Sequence, residues 1–134
     1  MKTLFKCIHG SHLYGLNTEN SDIDYKGVFL PDIKDILLEE SPSHYRSSTG
    51  PKDGKNSAGD VDEVHFSLKK FIGMLCDGET IAIDMLHAVS NPSVVIETSR
   101  EWDYIYQNRH RFYTSQMKAF MEYCKKQAAQ YGIK

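Results

Sequence analysis

The run from His9 to Asp24, HGSHLYGLNTENSDID, constrains this chain more than any other stretch. It opens with Gly10-Ser11 directly after an apolar run (Leu4, Phe5, Cys7, Ile8). It closes on Asp22-Ile23-Asp24, inside a second apolar run of Ile23, Val28, Phe29 and Leu30. Side chains alternate along a strand, so Asp22 and Asp24 would project their carboxylates from one face. Like charges that close repel, and the usual remedy is a divalent metal between them. Gly10 lets a phosphate come close to the backbone, and a short helix starting near Ser11 would offer unpaired N–H groups to an anion. An anion cradle and an acidic pair meeting across one turn predict metal-assisted chemistry on a nucleotide phosphate. A solvated carboxylate pair on an edge strand is the plainer alternative, and the apolar flanks argue against it.

The rest of the chain supplies a frame for that turn. Residues 3–8 read as a buried strand, ended by His9-Gly10. Ser11 to Leu16 predict one or two helical turns with Ser11 as N-cap, and Asn17 to Ser21 is turn chemistry. A second strand over 22–30 is stopped by Pro31, and a short helix follows over 32–38. From Ser41 to Asp60 the composition shifts to Ser, Gly, Pro and charge, with hardly a core residue. That predicts a long mobile surface loop within one domain, either a lid or substrate contact or a tolerated polar insertion. Val61 to Phe66 predict a third strand, and Ser67 caps an amphipathic helix that ends near Asp77-Gly78. Thr80 to His87 read as a second apolar helix. Asn91-Pro92 is a break, Val94 to Ile96 a brief strand or extended link, and 99–109 and 112–131 two further helices. The last is amphipathic, with Met117, Phe120, Met121, Cys124 and Ala128 on its stripe. The fold class expected is α/β of the α+β kind: a small mixed sheet with packed helices. Residues 1–90 would form the core, and 91–134 a C-terminal helical segment of the same domain or the start of a longer helical region.

Charge and cysteine usage narrow the function. Sixteen basic against 18 acidic residues give a net charge of −2, without the basic footprint of a protein that wraps polynucleotides. The three cysteines, Cys7, Cys76 and Cys124, are odd in number and widely spaced. They read as reduced core thiols, not a disulfide framework or a zinc site. No apolar run reaches membrane-spanning length and no signal-peptide core is present, so a cytoplasmic protein is expected.

Gly10-Ser11, ten residues, then Asp22-Ile23-Asp24 resembles the signature of the polymerase-β-like nucleotidyltransferase superfamily. The longer run GSHLYGLNTENSDIDYKGVFLP is similar to one branch, the predicted nucleotidyltransferases of bacteria and their phages. So is Asp62-Glu63-Val64-His65-Phe66-Ser67-Leu68-Lys69-Lys70-Phe71. The likeness covers roughly residues 4–30 and 60–86, with a weaker echo in the C-terminal helices. Members of the branch usually continue with more helices, so the chain reads as a short form or a truncated one.

The resemblance implies two Mg²⁺ ions, with Mn²⁺ as a substitute, bridged by Asp22 and Asp24. One metal would lower the pKa of the acceptor hydroxyl and the other would hold the triphosphate. Gly10 and Ser11 would hold the β- and γ-phosphates. For the third carboxylate the sequence offers Asp60, Asp62 and Glu63. Parity puts Asp60, Asp62, Val64 and Phe66 on one face, and Glu63 with His65 on the other, a polar or helix-covered one. Asp62 stands at the family position with apolar residues beneath it, and its implied role is to ligate the catalytic metal and take or orient the attacking hydroxyl's proton. Lys26, two residues past Asp24 on the same face, and Lys70 are candidates for neutralising phosphate, although surface ion pairing or plain solvation suits both. His9 and His12 bracket the Gly-Ser turn, Tyr14 either stacks on a base or packs its helix, and Asp84 reads as structural support.

The leading function is transfer of a nucleoside monophosphate from an NTP, ATP among them, to an acceptor hydroxyl. The acceptor is not written in the metal motif: an RNA end, a protein side chain and a small molecule all fit. A binding or antitoxin-like module with the same fold and little catalysis is the alternative. A metal-dependent phosphoesterase ranks last, for want of a His-rich ligand set.

Overall fold

The computed structural model describes residues 1–9, 23–48, 61–115 and 117–130, for 117–120 the backbone only. Among the described residues, five strands form one mixed sheet: β1 (Lys2–His9), β2 (Ile23–Leu30), β3 (His44–Ser48), β4 (Val61–Ser67) and β5 (Val95–Glu97), in the order β3-β4-β2-β1-β5. β2 and β4 run parallel, and the other three pairings are antiparallel. The helices are α1 (Ile33–Leu37), α2 (Leu68–Cys76), α3 (Thr80–His87), α4 (Arg100–Gln107) and α5 (Met117–Gln130). This is the small mixed-sheet architecture expected from the sequence.

Register decides which side chains share a face. His9, Asp24 and Asp62 are successive partners across β1, β2 and β4, followed by Cys7, Lys26 and Val64, then Phe5, Val28 and Phe66. The apolar end of this face carries the helices. Phe5 stacks on Trp102 of α4 at 4.4 Å with ring planes 5° apart, and Phe71 of α2 leans on the same indole at 5.1 Å. Such pairs add about 0.5–1.5 kcal/mol each beyond area burial. α2 starts where Ser67 accepts from the Lys70 N–H at 3.2 Å, a cap worth about 1 kcal/mol. It stops at Gly78, whose φ of 73° is a left-handed conformation that a glycine adopts without strain.

The opposite face bears Lys6, Gly27, His65 and Tyr45 in one register row, with Tyr25 and Glu63 in the next. Glu63 thus lies opposite Asp62, as parity requires, on the face away from the helices. It accepts from Lys6 at 2.9 Å and approaches His65 Nε2 at 2.6 Å, and these partners hold its carboxyl below the ordinary range. The His65 ring stacks on Tyr45 at 4.8 Å and lies close against Gly27. A Cβ at Gly27 would stand 2.4 Å from His65 Nδ1 and 3.0 Å from the Phe5 carbonyl oxygen. Gly27→Ala should therefore cost about 1–3 kcal/mol by overpacking. Urea unfolding of the variant checks this; an unchanged midpoint would show that the ring shifts freely.

Two expectations need correction. The composition of 41–60 predicts a loop throughout, but His44–Ser48 is an edge strand antiparallel to β4. An edge strand needs only one neighbour's hydrogen bonds and one half-buried side chain. Tyr45, tilted against Phe29 at 5.2 Å, supplies it. Residues 49–60 lie outside the described part. The cysteines are all free, yet only Cys7 is a buried thiol; Cys124, on α5 beside the 54% exposed Met121, faces outward.

Candidate active site

Asp24 is the second residue of β2 and Asp62 the second of β4, and the parallel register makes them direct neighbours. Adjacent strands stand about 4.8 Å apart, so two carboxylates leave the same face side by side. Each has its own cation. Lys26 reaches back along β2 to Asp24 at 3.2 Å, its side chain only 12% exposed. Arg46, from β3, forks onto Asp62: Nε donates to Oδ1 at 3.0 Å and Nη2 to Oδ2 at 2.9 Å. That carboxylate raises the guanidinium pKa further above its ordinary value.

His9, the last residue of β1, completes the row beside Asp24. Burial lowers its pKa, against the pull of the Asp24 charge, so the ring is neutral near pH 7. Its Nε2 lies 3.9 Å from a carboxylate oxygen of Asp84 on α3, a polar contact of a neutral ring and not an ion pair. Asp84 is thus brought to the same end of the sheet as the acidic pair. Cys7, one row inward, is no nucleophile: burial first, then the charges of Asp24 and Asp84, push its thiol up to about 12.

Of the residues singled out in the sequence, Asp24, Asp62 and Lys26 come together. Asp22, Gly10 and Ser11 lie outside the described residues. Lys70 does not join them: α2 begins at the far end of β4, five residues or about 16 Å of strand beyond Asp62. It lines an open groove of about 880 Å³ with Leu30, Pro31 and Ile36 instead. Arg46 was not legible as a site residue. Its signal is the alternation of His44, Arg46 and Ser48 against Tyr45 and Ser47, short enough to pass for loop.

The donor set fits a hard divalent cation. Two carboxylates on one rigid edge offer oxygen ligands only, and each already attracts a positive charge. Among the described residues no group of three His, Cys, Asp or Glu side chains is poised as a complete metal shell. The third ligand expected from the sequence, Asp22, is outside them.

A family profile described as "RNA repair pathway DNA polymerase beta family" matches residues 1–134. The chain belongs to the RNA repair pathway DNA polymerase beta family. Its members are polymerase-β-like nucleotidyltransferases, in agreement with the Gly-Ser and Asp-x-Asp resemblance. An uncharacterised 38.9 kDa protein from the nrdC–mobD intergenic region of Enterobacteria phage T4 is 41% identical over 134 residues. The alignment covers 100% of this chain and 40% of that relative, so the chain spans less than half its length. No solved structure matches the chain. Among the described residues, no helix is long and apolar enough to cross a membrane.

Proposed function

We propose that this polymerase-β-type chain transfers a nucleoside monophosphate from an NTP to an acceptor hydroxyl, using Asp22, Asp24 and Asp62 with divalent cations. The observation that supports this most is the side-by-side placement of Asp24 and Asp62 on parallel strands. Mg²⁺ held there would withdraw electron density from the α-phosphate and the acceptor oxygen. Asp24 and Asp22 orient the nucleotide, Gly10 and Ser11 receive its β- and γ-phosphates, and Lys26 offsets charge beside them. Asp62 takes or orients the acceptor's proton as the new O–Pα bond forms and the bond to pyrophosphate breaks. His9, neutral, and Asp84 brace the end of β1 behind the pair. The family's description, which names RNA repair, favours RNA among the acceptors.

A second reading, a binding module of the same fold, draws on the Arg46 fork. A guanidinium fixed permanently on Asp62 occupies a lone pair of each oxygen and opposes a metal or a proton there by its charge. Incubation with each NTP labelled at the α-phosphate, Mg²⁺, and a cell lysate with or without ribonuclease separates the readings. The proposal predicts label in an acceptor from at least one NTP, lost after ribonuclease if RNA is the acceptor. No incorporation from any NTP, with pure protein that binds one, would favour the module.

A further inference from the structure

Arg46 and a metal would contend for the Asp62 carboxylate. The fork takes one lone pair of each oxygen, which leaves a metal only the remaining pairs, and the guanidinium's positive charge repels a divalent cation approaching them. The partnership is unequal. The Asp62 side chain is 14% exposed and fixed within the sheet, whereas Arg46 is 61% exposed. Arg46 also stands on the edge strand, across from Val64 and two residues along from the Ser48–Asp62 pairing. The guanidinium can leave at small cost, because water receives it; the carboxylate cannot. Lys26 differs in both respects, since it makes a single contact at 3.2 Å from a nearly buried position.

We propose that Arg46 is a displaceable counter-ion of the metal site: it positions Asp62 in the metal-free protein, competes with the divalent cation for it, and is driven off when the cation binds. This rests on the metal reading given above. The role accounts for a bidentate fork between an acceptor that is 14% exposed and a donor that is 61% exposed. It also makes the site self-gating. Bare metal has to overcome a charge-assisted fork, so loading is weak until the substrate adds its own ligands.

Mn²⁺ titration without nucleotide, followed by the paramagnetic resonance of the free ion, tests the competition directly. Arg46→Gln should bind Mn²⁺ about three- to tenfold tighter than the parent, the scale of a well-formed exposed pair. The same substitution in an Asp62→Asn background should leave Mn²⁺ affinity unchanged, because the competing pair is already gone. Equal affinity of the parent and Arg46→Gln would overturn the proposal. So would equal tightening in both backgrounds, which would reveal only the loss of a nearby positive charge. Asp24→Asn distinguishes the two levels. If it leaves Mn²⁺ binding as in the parent, the metal site itself is wrong. If it weakens binding while Arg46→Gln does nothing, the metal site stands and Arg46 alone is misassigned.

Discussion

Asp24→Ala is expected to lower nucleotidyl transfer by at least about a hundredfold while the protein stays folded. Asp24 sits at the strand end, 31% exposed and outside the hydrophobic core cluster. Two terms oppose each other in the metal-free protein. Removing one of two neighbouring carboxylates relieves their repulsion. It also leaves the Lys26 ammonium, 12% exposed, without the oxygen it holds at 3.2 Å. The net change in stability should stay within about 1–2 kcal/mol, small beside the loss of activity. Thermal melts separate the effects. The parent should gain stability from Mg²⁺-NTP and Asp24→Ala should not. A variant that gains as much as the parent would show that the metal lies elsewhere.

The placement of the candidate residues was legible where it coincided with strong local patterning. Asp24 and Asp62 lie at period-two positions of strands whose apolar residues fix the register, so parity alone put Asp62 with Val64 and Phe66, and Glu63 with His65. Lys26 followed from the same alternation. Strand and helix positions were readable for the same reason: Phe5, Val28, Phe71 and Ile83 carry periodic burial, and Pro31, Ser67 and Gly78 punctuate it. What escaped were features set by long-range pairing. β3 has little hydrophobicity of its own and becomes a strand because β4 offers a free edge, which brought Arg46 from a presumed loop onto Asp62. Lys70 failed in the opposite sense. Its helix directly follows β4, but the strand's length carries it away from the carboxylates. The outward Cys124 and Met121 show that an apolar stripe on α5 states what could be buried, not what this chain buries.

Asp62→Asn is the most demanding variant, because it separates a working transferase from a retained fold. The substitution keeps the shape and one hydrogen-bonding oxygen and removes the charge. It also loosens Arg46, which at 61% exposure returns to water without harm. If, as proposed, Asp22 and Asp24 hold the nucleotide's metal, Mg²⁺-NTP affinity should stay within about tenfold of the parent. Turnover should fall by a factor on the order of a hundred or more, the scale for losing a positioned base. The decisive measurement is single-turnover transfer from an α-labelled NTP, with nucleotide affinity determined on the same preparations of parent and Asp62→Asn. Near-parental binding with at least hundredfold slower transfer is the result predicted. Equal transfer rates in parent and variant would contradict the catalytic role of Asp62, and with it the reading of the paired carboxylates as the centre of the reaction.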